Sequence, residues 1–410
     1  MGKGVLGRAA VSMKNDFKPF RPLLLSPAGS PEALRAAIEA GADEVYLGGS
    51  AFNARIGAKN FDEDALVRAG ERCRRAGVRL HVACNTLVFE REWTKLERYI
   101  AFLERFVRPD AYIVQDLGLA AFLRETYPRA CLHASTQLRV HSVPDAPALR
   151  ALGFRRAVLA REMGATDIRR FVRASGMETE VFAHGALCVS ESGGCLMSAA
   201  IGGRSGNRGE CAQPCRMRYN GAYPLSLKDL CLAERIPELC GMGVTALKLE
   251  GRMKSSDYVY SVTAVYRRLL DERRAATARE VALLGGVFSR GGFTDAFFAD
   301  RPGRAMFGVR REEDRKKSAA ACAEIHAAYP PQKRPAPGPA ARTEIETPPL
   351  PRAAMVLPPG TQKGYVLRFE QRVSLPVLER YGPAASVACG ARAPGGDGGK
   401  GERAAAARRL

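Results

Sequence analysis

The stretch LLLSPAGSPEALRAAIEAGADEVYLGG, Leu23 to Gly49, sets the architectural reading of the chain. It begins with a short apolar run, Leu23–Ser26. A helix signature follows: Ser30 is a good N-cap, Pro31 suits the first helical position and Gly41 suits the stop. A second apolar run, Glu44–Gly49, starts after only two more residues. Strand, helix and strand in such quick succession make one unit of a parallel α/β sheet.

The alternation continues downstream. Arg79–Leu87, Ala111–Gly118, Cys131–Val140, Arg156–Glu162, Glu178–Gly185 and Thr245–Arg252 read as further strands. Amphipathic segments such as EREWTKLERYIAFLERFV and ATDIRRFVRASG lie between them. Eight strands alternating with helices over about 250 residues is the tally of a (β/α)8 TIM-type barrel. An open doubly wound sheet is the alternative. In a barrel the strand C-terminal ends share one mouth. Asn85, Asp116, Gln137, Arg161, Glu162, His184, Glu250 and Arg252 all fall at such ends. Any one of them alone would pass for a turn residue or a helix cap; together they point to a polar site.

Composition bounds the rest. The 410 residues are 46% hydrophobic with a net charge of +20, enough for a large core and suited to a polyanionic partner such as RNA. The richness in Arg and Ala accounts for part of that excess. Residues 1–20 read as a disordered leader, 21–310 as the barrel, 311–355 as a proline-rich linker, and 356–410 as a truncated or low-complexity, partly disordered tail. Within the tail, Lys363–Gln371 could start one more strand. No run approaches the roughly 18–20 apolar residues of a membrane span, and no secretory signal is present, so a cytoplasmic location is expected.

Eleven cysteines is an odd count for a disulfide framework. Seven are scattered and read as reduced core thiols. Cys188, Cys195, Cys211 and Cys215 cluster as C-x6-C-x15-C-x3-C within loop 185–220, between the seventh and eighth strands. Four thiolates in one loop repel unless a cation neutralises them, which suggests a soft metal centre. Zinc usually takes tighter pairs. A [4Fe-4S] cluster suits the glycine-rich connection, the nearby Arg204 and Arg208, and Pro214 beside the last ligand. Spacing alone leaves both metals, and four ordinary thiols, open.

HGALCVSESGGCLMS (His184–Ser198), GRSGNRGECAQPCRMRY (Gly203–Tyr219), SLKDL (Ser226–Leu230) and ALKLEGRMKSSDYVYSVTAVYR (Ala246–Arg267) closely resemble the U32 peptidase family, the collagenase-like peptidases. The resemblance covers about residues 22–310 and implies a barrel with a [4Fe-4S] cluster on the four cysteines. It also implies RNA hydroxylation with prephenate as oxygen donor, giving 5-hydroxyuridine in tRNA or 5-hydroxycytidine in rRNA. Other members act in oxygen-independent ubiquinone hydroxylation, and older ones carry a protease label. Prephenate has two carboxylates, for which Arg55, Arg161 and Arg252 are candidate clamps, with Gln137 and Asn85 as further substrate-binding groups. His184, Glu162 and Asp116 are the candidate proton-transfer residues. One departure is His141, in a region where the family usually carries Asn. A peptidase is the alternative activity, although no HExxH motif and no GxSxG in a strand-to-helix setting occurs. A His184–Cys188 dyad would consume a cluster ligand. An RNA-binding scaffold subunit is a further alternative, and a partner protein is compatible with either.

Overall fold

The computed structural model describes residues 21–332. The chain divides into two units, and every described residue belongs to the first. The second, Arg352–Val356 with Val366–Leu410, lies outside the described residues, as do the leader 1–20 and the strand expected at Lys363–Gln371.

All eight expected strands are present. They are β1 (Leu23–Pro27), β2 (Glu44–Leu47), β3 (Arg79–Cys84), β4 (Ala111–Val114), β5 (Leu132–Ala134), β6 (Phe154–Val158), β7 (Glu178–Ala186) and, after an interruption, β9 (Ala246–Leu249). Each of β1 to β7 pairs in parallel with the next, β7 pairs in parallel with β9, and β9 returns to β1. The sheet is therefore closed, and the open doubly wound alternative is excluded. Two short strands were not legible: β8 (Asp229–Cys231) lies antiparallel on the far half of β7, and β10 (Phe293–Thr294) lies parallel on β8.

The helices begin where the cap residues predict. Ser30 accepts from the Ala33 N–H at 3.2 Å to start Pro31–Glu39, and Asp62 accepts from the Ala65 N–H at 2.7 Å to start Glu63–Ala76. Their apolar faces, together with the outward-facing strand residues, form one continuous core around the barrel.

Inside the barrel the pattern differs from the usual packing of branched aliphatics. Only Leu25, Tyr46 and Ile113 form an apolar cluster there. Below them lies a buried ionic plug. Arg156 donates to Glu44 at 2.6 Å, Glu178 at 2.9 Å and Glu180 at 3.1 Å; Lys248 meets Glu180 at 2.7 Å, and Arg79 meets Glu44 at 2.6 Å. At its centre two buried carboxylates, Glu44 and Glu180, balance two buried cations, Arg156 and Lys248, while the more exposed Arg79 and Arg155 pair with Glu44 and Glu178 at the periphery. His81 and His133 stack edge-on beside them, and burial first, then Arg156, holds both well below the usual histidine range.

The ordered unit runs past the expected boundary at 310. Helices Glu312–Lys316 and Ser318–Ala328 occupy the front of the segment expected to be linker. Ala321 and Ile325 bury against the body, and the Tyr260 hydroxyl donates to the Tyr329 carbonyl at 2.7 Å. The linker reading is corrected accordingly: these apolar contacts hold the segment on the barrel through Tyr329.

Candidate functional site

β7 delivers the cysteine segment to the mouth. Its first half pairs with β6 and β9; after a register shift between Phe182 and His184, its second half pairs with β8. Cys188 therefore emerges above the barrel. The loop that follows is pinned at several points. Arg216 donates to the Leu187 carbonyl at 2.7 Å and the Ser226 hydroxyl at 3.0 Å, and also to the Leu227 carbonyl. Arg208 is committed to Glu92 and the Leu87 carbonyl, both at 2.5 Å, over the Phe89 ring, so it is unavailable for the charge-offsetting role the sequence suggested. Gly193, with φ of +72°, lies so close to Gln137 that a Cβ there would come within 2.7 Å of its backbone.

A cavity of about 710 Å³ opens between this loop and the strand ends. All four clustered cysteines line it, as do Arg55, Arg161, Arg252, Asn85 and Gln137. The four thiols are close enough to influence one another: burial first, and then Cys188, Cys211 and Cys195, push the Cys215 thiol up against the opposing Arg216. The Gln213 N–H donates to the Cys211 sulfur at 3.3 Å, the kind of bond that stabilises a metal-bound thiolate. Among the described residues no three His, Cys, Asp or Glu side chains converge as a single ion needs, whereas a mononuclear zinc holds its sulfurs roughly 3.8 Å apart. The donor set on this cavity is thus four thiols, the ligand type that suits an iron–sulfur cluster.

Glu250 is the other centre of the site. Its carboxylate pairs with Arg55 at 3.5 Å and Arg161 at 3.4 Å. Burial pushes Glu250 up, but Arg55, Arg161 and Arg252 more than offset this, so its carboxyl lies below the ordinary range. Arg161 also lies over the Phe182 ring at 4.2 Å. Arg252 is almost fully buried, donates to the Asn53 side-chain oxygen, and is pushed down by burial to about 10. The Nε atoms of Arg161 and Arg252 are buried without a partner. Such under-satisfied guanidinium groups are poised for an anion. Asn53, which sequence reasoning missed, also bonds the Gly49 carbonyl and the Arg55 N–H, at 2.7 and 2.9 Å. Asn85 accepts from the Ala54 N–H at 3.0 Å, and Gln137 donates to the Asn85 carbonyl at 2.8 Å; both tie the mouth loops together.

The three proton-transfer candidates fall elsewhere. His184 is 1% exposed, nested against Tyr258, Tyr266 and Phe293, and burial pushes it down to about 3. It does not line the cavity and has no contact with Cys188 there. Asp116 is a helix cap: it accepts from the Leu119 N–H at 3.0 Å and the Val88 N–H at 3.1 Å. Glu162 accepts from the Ser192 N–H at 2.6 Å and the Ser192 hydroxyl at 2.9 Å, and meets His141 Nε2 at 3.1 Å. It latches the cysteine loop to the end of β6 rather than facing the cavity.

Comparison with known proteins follows the same outline. The pattern of Peptidase family U32 matches residues 29–307. A protein of Escherichia coli K12 named 23S rRNA 5-hydroxycytidine C2501 synthase is 39% identical over 270 residues, covering 62% of this chain and 41% of that protein. The tRNA hydroxylation protein P1 of Bacillus subtilis 168 is 35% identical, covering 61% of this chain and 63% of its own length. A Porphyromonas gingivalis W83 protein named collagenase is 32% identical, covering 69% and 74%. The chain thus spans less than two thirds of the length of the first two relatives. Among the described residues no helix is long and apolar enough to cross a membrane.

Proposed function

This chain belongs to peptidase family U32, and on that premise we propose that it is an RNA-modifying enzyme that hydroxylates a pyrimidine. The product is 5-hydroxyuridine in tRNA or 5-hydroxycytidine in rRNA, and prephenate is the oxygen donor. Cys188, Cys195, Cys211 and Cys215 would hold a [4Fe-4S] cluster. When bound, that cluster would supply a one-electron redox centre at the cavity wall.

The observation that carries the reading is the meeting, in one cavity, of four thiols with a three-arginine clamp. Arg55, Arg161 and Arg252 present planar donors to carboxylates; Glu250 holds the first two and Asn53 the third until an anionic donor competes. Tyr46, Phe182 and Ile113 give the floor an apolar face on which a ring can lie. Relatives named for rRNA and tRNA hydroxylation support the substrate class. The net charge of +20 supports contact with a phosphate backbone.

Proteolysis is the competing reading, favoured by the relative named collagenase. Among the described residues the cavity walls carry no histidine, so no imidazole base stands beside a nucleophile. The deciding experiment is nucleoside mass spectrometry of RNA from a deletion strain. One hydroxypyrimidine should vanish and return on complementation. An unchanged profile, with gelatin cleavage by the pure protein, would replace this reading with the protease.

A further inference from the structure

The cavity carries a second basic cluster, set apart from the Glu250 clamp and built by segments that are not barrel strands. Asp229 on β8 supplies its one ion pair. Arg290, in the turn before β10, pairs with Asp229 at 2.5 Å. Lys254, just past β9, places its ammonium 2.9 Å from the centroid of the Phe288 ring, and Arg310 stacks on the same ring at 4.0 Å. Parallel pairing of Phe293 with Asp229 fixes the Arg290 turn against β8. Lys254 and Arg290 both line the cavity.

The charges do not balance. Among the described residues neither Lys254 nor Arg310 has an ion-pair partner, and Arg310 Nε is buried with no hydrogen bond. Of the three cations, only Arg290 has an ion-pair partner among the described residues. Burial first, and then Arg290, push the Lys254 ammonium down to about 7, the mark of a cation held where solvent does not compensate it. The ring face attracts each cation, but like charges gathered there repel one another, and a bound anion relieves that repulsion. In the interior plug, by contrast, each cation has an ion-pair partner.

We infer that Lys254, Arg290 and Arg310 form a phosphodiester subsite that grips the RNA backbone next to the base entering the cavity. The inference rests on the RNA-modifying reading above and adds to it which residues hold the strand. The chemistry of the two clusters divides the labour. Planar guanidinium groups around Glu250 match planar carboxylates. A lysine point charge and two arginines on different segments suit the tetrahedral oxygens of a phosphate. A base drawn out of its stack into the pocket brings its flanking phosphates up to the cavity wall, part of which Lys254 and Arg290 form.

The test uses the full chain, purified anaerobically, and a fluorescent single-stranded RNA, with affinity measured from about 50 to 200 mM salt. Lys254→Gln with Arg310→Gln removes two cations that have no ion-pair partner, and a thermal melt verifies that the fold is kept. The slope of log affinity against log salt should become shallower by about 1.4, since each contact to a single strand contributes about 0.7. Lys254→Arg should retain the wild-type slope, and prephenate binding should be unchanged in all of these variants. An unaltered slope in the double variant, while the wild type binds RNA and hydroxylates it, overturns the inference alone. So does a double variant that loses binding of inorganic phosphate or prephenate but keeps the RNA slope, because the cluster would then serve a small anion. A wild-type protein with no salt-dependent RNA affinity removes the parent reading as well.

Discussion

Glu162 looked catalytic in the sequence and is a loop latch in the structure, and replacing it by alanine separates the two roles. The substitution removes the acceptor of two hydrogen bonds from Ser192 and one contact with His141. Hydrogen bonds to a charged group are worth about 1.5–3 kcal/mol each, but they share one half-buried carboxylate and do not add. Discounted for that exposure, the latch contributes about 2 kcal/mol, a factor of about 30 in how often the loop between Cys188 and Cys195 comes free. The expected outcome is iron loss to a chelator about 30-fold faster than wild type, followed by loss of the visible absorbance, with the melting temperature of the barrel little changed. The pH window follows from the shifts. The Glu162 hydrogen bond first, against the cost of burial, raises His141 above its ordinary 6.5, so its contribution is full below 6.5 and fades as pH rises through the raised value. Burial pushes Glu162 up, but His141 and Ser192 outweigh it and hold the carboxyl below 4.5, so its contribution is present above 4.5 and fades as pH falls through the lowered value. The latch's own contribution should therefore be largest between about 4.5 and 6.5, read as the difference in iron-release rate between wild type and the alanine variant at each pH, since the acid lability of the cluster is common to both. Wild-type iron retention with hydroxylation abolished would refute the latch and return Glu162 to the chemistry.

Two further outcomes test other parts of the structure. Arg156→Met leaves Glu44 and Glu180 buried without their shared partner and should cost about 3 kcal/mol or more. That corresponds to a fall in Tm on the order of 10 °C in a thermal melt, partly restored by adding Glu44→Gln. His184→Phe removes Nε2, which is buried without a partner, and a long 3.4 Å contact of Nδ1 with the Tyr266 hydroxyl, which keeps its bond to the Ala183 carbonyl. It should leave Tm within a few degrees and the RNA hydroxylation profile intact; a folded but inactive variant would show that His184 moves a proton after all.

The fold was legible because each βα unit carries its own punctuation. Ser30 with Pro31 marks a helix start that the structure realises, with Ser30 as the N-cap and Pro31 at the first helical position. The cysteines were legible by type and crowding alone. What could not be read was contact between distant segments. The ring nest of His184 is made by Tyr258, Tyr266 and Phe293, all contributed by later segments. β8 and β10 have three and two residues, too few for a periodic signal. The ionic plug did leave a trace: Glu44, His81, Arg156, Glu180 and Lys248 share the inward phase of their strands, visible once alternation is followed instead of apolar runs. Asp116 likewise stood three residues before Leu119, a cap signature that a catalytic reading passed over.

Metal analysis of the anaerobically purified protein, alongside single Cys→Ser variants at positions 188, 195, 211 and 215, bears most directly on the account. About four iron and about four acid-labile sulfide per wild-type chain are expected, with each variant losing both the iron and the hydroxylated nucleoside. One zinc per chain without sulfide, or a serine variant that keeps its iron and its RNA product, would contradict a cluster held over the barrel mouth by these thiols.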